Sequence, residues 1–91
     1  LNQLKELRKR LDDIDQQILN YLNIRGKIVE EIGKEKMRFN LDINDQTREN
    51  FIIKNITAKN KGPYTPKMIE KLYKEIFKIS KELQNKDLQK I

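Results

Sequence analysis

From Leu4 onward the apolar positions recur at intervals of three and four: Leu7, Leu11, Ile14, Ile18, Tyr21/Leu22, Ile28/Val29, Ile32 and Phe39. That spacing marks one face of an α-helix and predicts a single helix over about 1–39. Gly26 and Gly33 lie inside it, and each weakens a helix by roughly 1 kcal/mol relative to alanine. The stripe keeps its phase through both, which favours one long helix over a helix broken at either glycine. Residues 40–44 read as a loop. Asp45 is a good N-cap for a second helix over about 46–60, with Phe51, Ile52 and Ile56 on its core side. Lys61-Gly62-Pro63-Tyr64 is a stop-and-turn signal. Thr65 and Pro66 then restart the chain as N-cap and first-turn proline. The third helix runs to about residue 85, with Ile69, Leu72, Ile76, Ile79 and Leu83 expected to be buried. Strand-like alternation, repeats and low-complexity segments are absent from the sequence, so the expected class is all-α with three helices in one domain, 1–91. The tail, 86–91, is expected to fray.

The length of the first helix bears on assembly. About 39 residues span roughly 58 Å, whereas a compact domain of this size has a radius of gyration near 12 Å and is only about 30 Å across. Nearly half of the stripe would project bare into water. Antiparallel association with a second copy about a twofold axis covers it most simply, so an intertwined homodimer is expected.

Two cations interrupt the stripe. Arg25 and Lys36 stand where the pattern calls for hydrophobes. They are about three turns apart, so they point the same way and lie roughly 16 Å apart along the axis. One reading is snorkelling, with packed stems and heads in water. The other is that the two lean together and hold a small anion. Further polar residues stand near apolar faces: Ser80 and Gln84 four apart on the third helix, Arg48 and Glu49 in the first turn of the second, and Arg8 beside Leu7. Each alone has an ordinary explanation, as a cap, a dipole partner or a solvated side chain. Their combination is what carries weight.

Composition narrows the chemistry. The sequence has no cysteine and no histidine, and Ser80 is its one serine. Disulfides, thiol nucleophiles, Ser/His pairs and Cys/His metal sites are therefore excluded, and neither metal nor cofactor is expected. The net charge of +6 suits an anionic partner. A nucleic-acid role is disfavoured, because Tyr21, Phe51, Tyr73 and Phe77 fall on core positions and the cations alternate with acids. In the third helix that alternation has i,i+4 spacing (Glu70–Lys74, Lys71–Glu75, Lys78–Glu82, Glu82–Lys86), as on a solvated face. No apolar run is long enough to span a membrane, and a cytoplasmic protein is expected.

The polar set resembles the all-helical chorismate mutase family of intertwined three-helix dimers. The resemblance covers nearly the whole chain. It is carried by Leu7-Arg8, Asp12-x-x-Asp15-x-x-Ile18-Leu19, Arg25, Ile32-Gly33-Lys34-x-Lys36, Asp45-x-x-Arg48-Glu49 and Ile76-Phe77-x-x-Ser80-x-x-x-Gln84. Gly26 departs from the pattern, since other members often carry a larger residue there. The Gly62-Pro63-Tyr64 turn and Lys74-Glu75-Ile76-Phe77 are most like the version fused ahead of a 3-deoxy-arabino-heptulosonate 7-phosphate (DAHP) synthase. The start at Leu1 and the lysine-rich end fit a domain excised from such a chain.

The resemblance implies the rearrangement of chorismate to prephenate. Lys36 and Gln84 would be catalytic, meeting charge that develops on the ether oxygen. Arg25 and Arg8 would grip the substrate carboxylates, helped by Ser80. Glu49 would accept from the ring hydroxyl, with Asp45 and Arg48 beside it. Arg8 lies roughly 42 Å from Lys36 on one straight helix, so the Arg8 that serves a site must come from the partner chain. Two other readings remain at this level. One is an isochorismate pyruvate lyase on the same scaffold. The other is a domain that binds chorismate or prephenate to control a fused DAHP synthase, with or without activity of its own.

Overall fold

A computed structural model describes residues 1–86 and contains three helices: α1 (Asn2–Arg38), α2 (Gln46–Lys59) and α3 (Pro66–Asn85). α1 runs unbroken through Gly26 and Gly33. Its 37 residues set the long axis of a molecule measuring 55 × 28 × 15 Å. The radius of gyration is 16.6 Å, well above the roughly 12 Å of a compact chain of this length. Of the tail expected to fray, only Lys86 falls among the described residues.

Local chemistry accounts for the helix ends. Asn40 takes a left-handed φ of 55° just beyond α1. The Leu41 N–H donates to the Lys36 carbonyl (2.7 Å) and the Asn40 N–H to that of Met37 (3.2 Å). This is a Schellman closure with asparagine in the usual glycine position. At the start of α2, Asp45 Oδ1 accepts from the Arg48 N–H at 3.0 Å. At the start of α3, Thr65 Oγ1 accepts from the Met68 N–H at 3.2 Å, with Pro66 in the first turn. Both N-caps are those expected from the sequence. Between α2 and α3, Gly62 has φ 85°, a backbone that side-chain-bearing residues rarely adopt.

α3 packs against the C-terminal half of α1 on one side and against α2 on the other. Val29 and Phe77 form the buried apolar centre, and the Tyr73 ring meets Phe77 edge-on at 6.0 Å. Every residue from 1 to 24 is exposed. The stripe residues Leu7, Leu11, Ile14 and Ile18 thus lie bare, as helix length anticipated. Four expectations fail within the single chain: Tyr21, Phe51, Leu72 and Ile79, assigned to core positions by periodicity, are all exposed. Three helices laid almost in a plane cannot cover both sides of one another, so an apolar stripe on α2 or α3 is only partly shielded.

Of the anticipated i,i+4 pairs, Glu70–Lys74 forms at 3.1 Å. Lys86 reaches across to Glu30 of α1, and its hydrogen bond and charge hold the Glu30 carboxyl below the usual carboxylate range. Among the described residues no helix is long and apolar enough to cross a membrane.

Candidate active site

Where α1, the 40–45 loop, α2 and α3 converge, they enclose a cavity of about 140 Å³. Seven of the eight residues picked out in the sequence line it: Arg25, Lys36, Asp45, Arg48, Glu49, Ser80 and Gln84. Val29, Ile32, Ile52 and Phe77 supply its apolar wall. Arg25 and Lys36 do share one cavity, as three turns of separation on one face allow, and each is bonded within the chain rather than simply reaching for solvent.

The side chains are held by specific bonds. Arg25 Nη1 donates to Ser80 Oγ at 2.7 Å, and Ser80 Oγ in turn donates to the Ile76 carbonyl at 2.7 Å. The one hydroxyl proton of Ser80 is therefore committed, and its oxygen serves as an anchor for the guanidinium. Arg25 has five N–H donors, so the rest of its fork can serve a further acceptor. Lys36 Nζ donates to the Ile43 carbonyl at 3.1 Å. The bond ties the loop to α1 and leaves two ammonium protons for another acceptor. Arg48 spreads its guanidinium over the Phe51 ring at 5.2 Å. Glu49 pairs with Lys81 of α3 at 2.9 Å.

Gln84 stands apart, because its Oε1 is buried and has no hydrogen-bond partner among the described residues. An unsatisfied buried amide oxygen costs about 1–3 kcal/mol, so the site keeps an unused hydrogen-bond acceptor at this end. α3 approaches closely here because position 33 is glycine: a β-carbon there would lie 2.9 Å from Gln84 Cα.

Arg8, the eighth residue, is not in this cavity. It lies near the far end of α1, beside a shallow hollow lined also by Leu4 and Asp12. Sequence reasoning missed Lys81. Periodicity marks it as one more surface lysine, and its partner Glu49 lies on a different helix, so no local spacing could reveal the pair. The Ile43 carbonyl was likewise invisible, since a backbone group carries no sequence label. Among the described residues no group of three or more carboxylates is placed to hold a metal ion. The arrangement is a cationic pocket, suited to a small polyanion and to stabilising negative charge.

The profile of the family described as chorismate mutase type II matches residues 7–85. A bifunctional chorismate mutase/prephenate dehydratase of Aquifex aeolicus is 37% identical over 90 residues, which are 94% of this chain and 25% of that protein. The chain thus spans about a quarter of that relative's length. A chorismate mutase of Methanocaldococcus jannaschii is 33% identical over 57% of this chain and 52% of its own length. The solved structure of a Thermus thermophilus chorismate mutase (form II) superposes with a TM-score of 0.90 at 38% identity, covering 91% of this chain and 94% of that one.

Proposed function

Because this chain belongs to the chorismate mutase type II family, we propose that it rearranges chorismate to prephenate. The carrying observation is the gathering of Arg25, Lys36, Arg48 and Gln84 around one cavity. The reaction is an intramolecular pericyclic shift: one C–O bond breaks as one C–C bond forms. No proton moves and no covalent intermediate arises, so a site without histidine or cysteine lacks nothing the chemistry needs.

The work lies in conformer selection and electrostatics. A cavity of complementary shape favours the compact chair-like conformer in which the reacting carbons meet. As the C–O bond breaks, the ether oxygen gains negative charge, and donors already aimed there stabilise the transition state more than the ground state. Lys36 and Gln84 take this role. Arg25, braced by Ser80, grips a carboxylate with its remaining donors. Glu49 accepts from the ring hydroxyl, and Arg48 and the Asp45 backbone lie beside it.

The second carboxylate requires Arg8, which reaches a site only from a partner chain, so the working unit is a homodimer with two sites built from both chains. The bare stripe on the first 24 residues supports this assembly, since exposed apolar surface of this extent marks an interface. The Aquifex relative is joined to prephenate dehydratase, which fits prephenate as product. The relatives above do not support the DAHP synthase partner that the 62–64 turn and the 74–77 stretch suggested.

The direct test is to mix the protein with chorismate, follow the loss of its ultraviolet absorbance and identify prephenate. Absence of turnover at micromolar protein would overturn the reading. Release of pyruvate from isochorismate, with chorismate untouched, would reassign the site to a lyase.

A further inference from the structure

Each cation of the cavity but one is engaged away from Glu49. Arg25 is bound to Ser80, Lys36 to the Ile43 carbonyl, and Arg48 lies over Phe51. Lys81 is the residue that meets the Glu49 carboxylate, with Nζ at 2.9 Å from Oε2. The Glu49 side chain is 18% exposed and that of Lys81 34%, so the pair stands at the rim of the cavity with its acidic end turned inward. Solvent screens such a pair less than a fully exposed one.

The charge balance gives the pair a use. Four cations and two carboxylates line the cavity within one chain, a formal surplus of two positive charges against a ligand with two carboxylates. An unpaired Glu49 would repel that ligand. It would also be free to swing toward Arg48, the adjacent residue on α2, or toward Lys36, away from the position where it can accept a hydrogen bond from a hydroxyl.

We propose that Lys81 is a positioning residue: it pins the Glu49 carboxylate in the cavity wall and offsets its charge, so that Glu49 can accept from a dianionic substrate's hydroxyl without expelling the substrate. This rests on the chorismate mutase reading given above. Lys81 acts through Glu49 and touches no reacting atom. The hydroxyl contact is the same in the ground state and the transition state, so its loss falls on binding.

The experiment compares KM and kcat for chorismate in the parent and in Lys81→Met and Lys81→Arg, each with and without Glu49→Gln, with helix content checked by circular dichroism. Lys81→Met should raise KM about tenfold, as expected when a charge-assisted hydrogen bond is lost, while kcat stays within about threefold. Lys81→Arg should restore most of the affinity. With Glu49→Gln present, Lys81→Met should change KM by less than about twofold, because the group it serves is gone. An unchanged KM in Lys81→Met, with an active parent, overturns the role of Lys81 alone. Equal rises in both backgrounds would place Lys81 on the substrate and overturn its action through Glu49. A parent that does not consume chorismate defeats the activity itself and this inference with it.

Discussion

Gln84 Cα lies where residue 33 has no room for a side chain: a β-carbon on Gly33 would sit 2.9 Å from it and 3.2 Å from the Gln84 carbonyl oxygen. These are backbone atoms of α3 and cannot swing aside. The glycine lets α3 lie close against α1 and so sets how deep the Gln84 amide enters the cavity. Gly33→Ala should therefore destabilise the protein by about 1–3 kcal/mol, even though alanine is the better helix former by roughly 1 kcal/mol. It should also lower kcat by displacing Gln84. Gly26→Ala is the control. Among the described residues its β-carbon would meet only Leu83 Cδ1, at 3.5 Å, so stability should hold or rise by up to about 1 kcal/mol. Urea denaturation of the two variants decides, and equal stability of Gly33→Ala and the parent would contradict the close approach.

Lys36 is bonded to a carbonyl of the loop and lines the cavity. If its remaining protons meet the developing oxyanion, Lys36→Ala should lower kcat by about two to three orders of magnitude, or roughly 3–4 kcal/mol, with the fold intact. Steady-state kinetics are the check. A loss confined to KM would show that Lys36 binds only the ground state.

Assembly can be tested by complementation. Arg8→Ala and Lys36→Ala should each be inactive. In a heterodimer one site receives both lesions and the other neither, so mixing should restore part of the activity. No recovery after confirmed subunit exchange would rule out shared sites. Leu11→Asp or Ile18→Asp puts a charge into the exposed stripe, and dissociation should bring unfolding with it. A well-folded monomer in sedimentation and circular dichroism would count against the intertwined dimer.

The rate itself should vary little between about pH 5 and 8, since no proton is transferred and the amide of Gln84 donates at any pH. Gln84→Glu introduces a titrating carboxyl at the same place. An unperturbed glutamate has a pKa near 4.3. Burial and substrate carboxylates push the new group upward, and Lys36 pulls it down. Ionised, it repels the ether oxygen; protonated, it donates to it. The variant should be poor at pH 7.5 and recover as the pH falls. A flat profile with parental activity would place Gln84 away from the reacting oxygen.

Much of this protein is legible from local rules. Helical periodicity and two side-chain caps, Asp45 and Thr65, are properties of neighbouring residues, and α1, α2 and α3 end within a residue or so of where those rules place them. Seven of the cavity's residues could be picked out because polar side chains such as Arg25, Lys36, Ser80 and Gln84 break or edge an apolar pattern and Asp45, Arg48 and Glu49 cluster at one helix start, and the family resemblance assigned their roles. What periodicity cannot supply is the rotation and depth of one helix against another. Those decide that Ser80 spends its proton on Ile76 and anchors Arg25, and that Lys81 turns inward to Glu49 although its spacing suits a solvated face. They also leave Phe51, Leu72 and Ile79 uncovered within the chain despite their core-like positions. Gly33 marks the division most clearly. In the sequence it is a weakness in a helix; in the folded chain it is the gap into which the backbone of α3 settles, because only a second element can give the lack of a side chain a use.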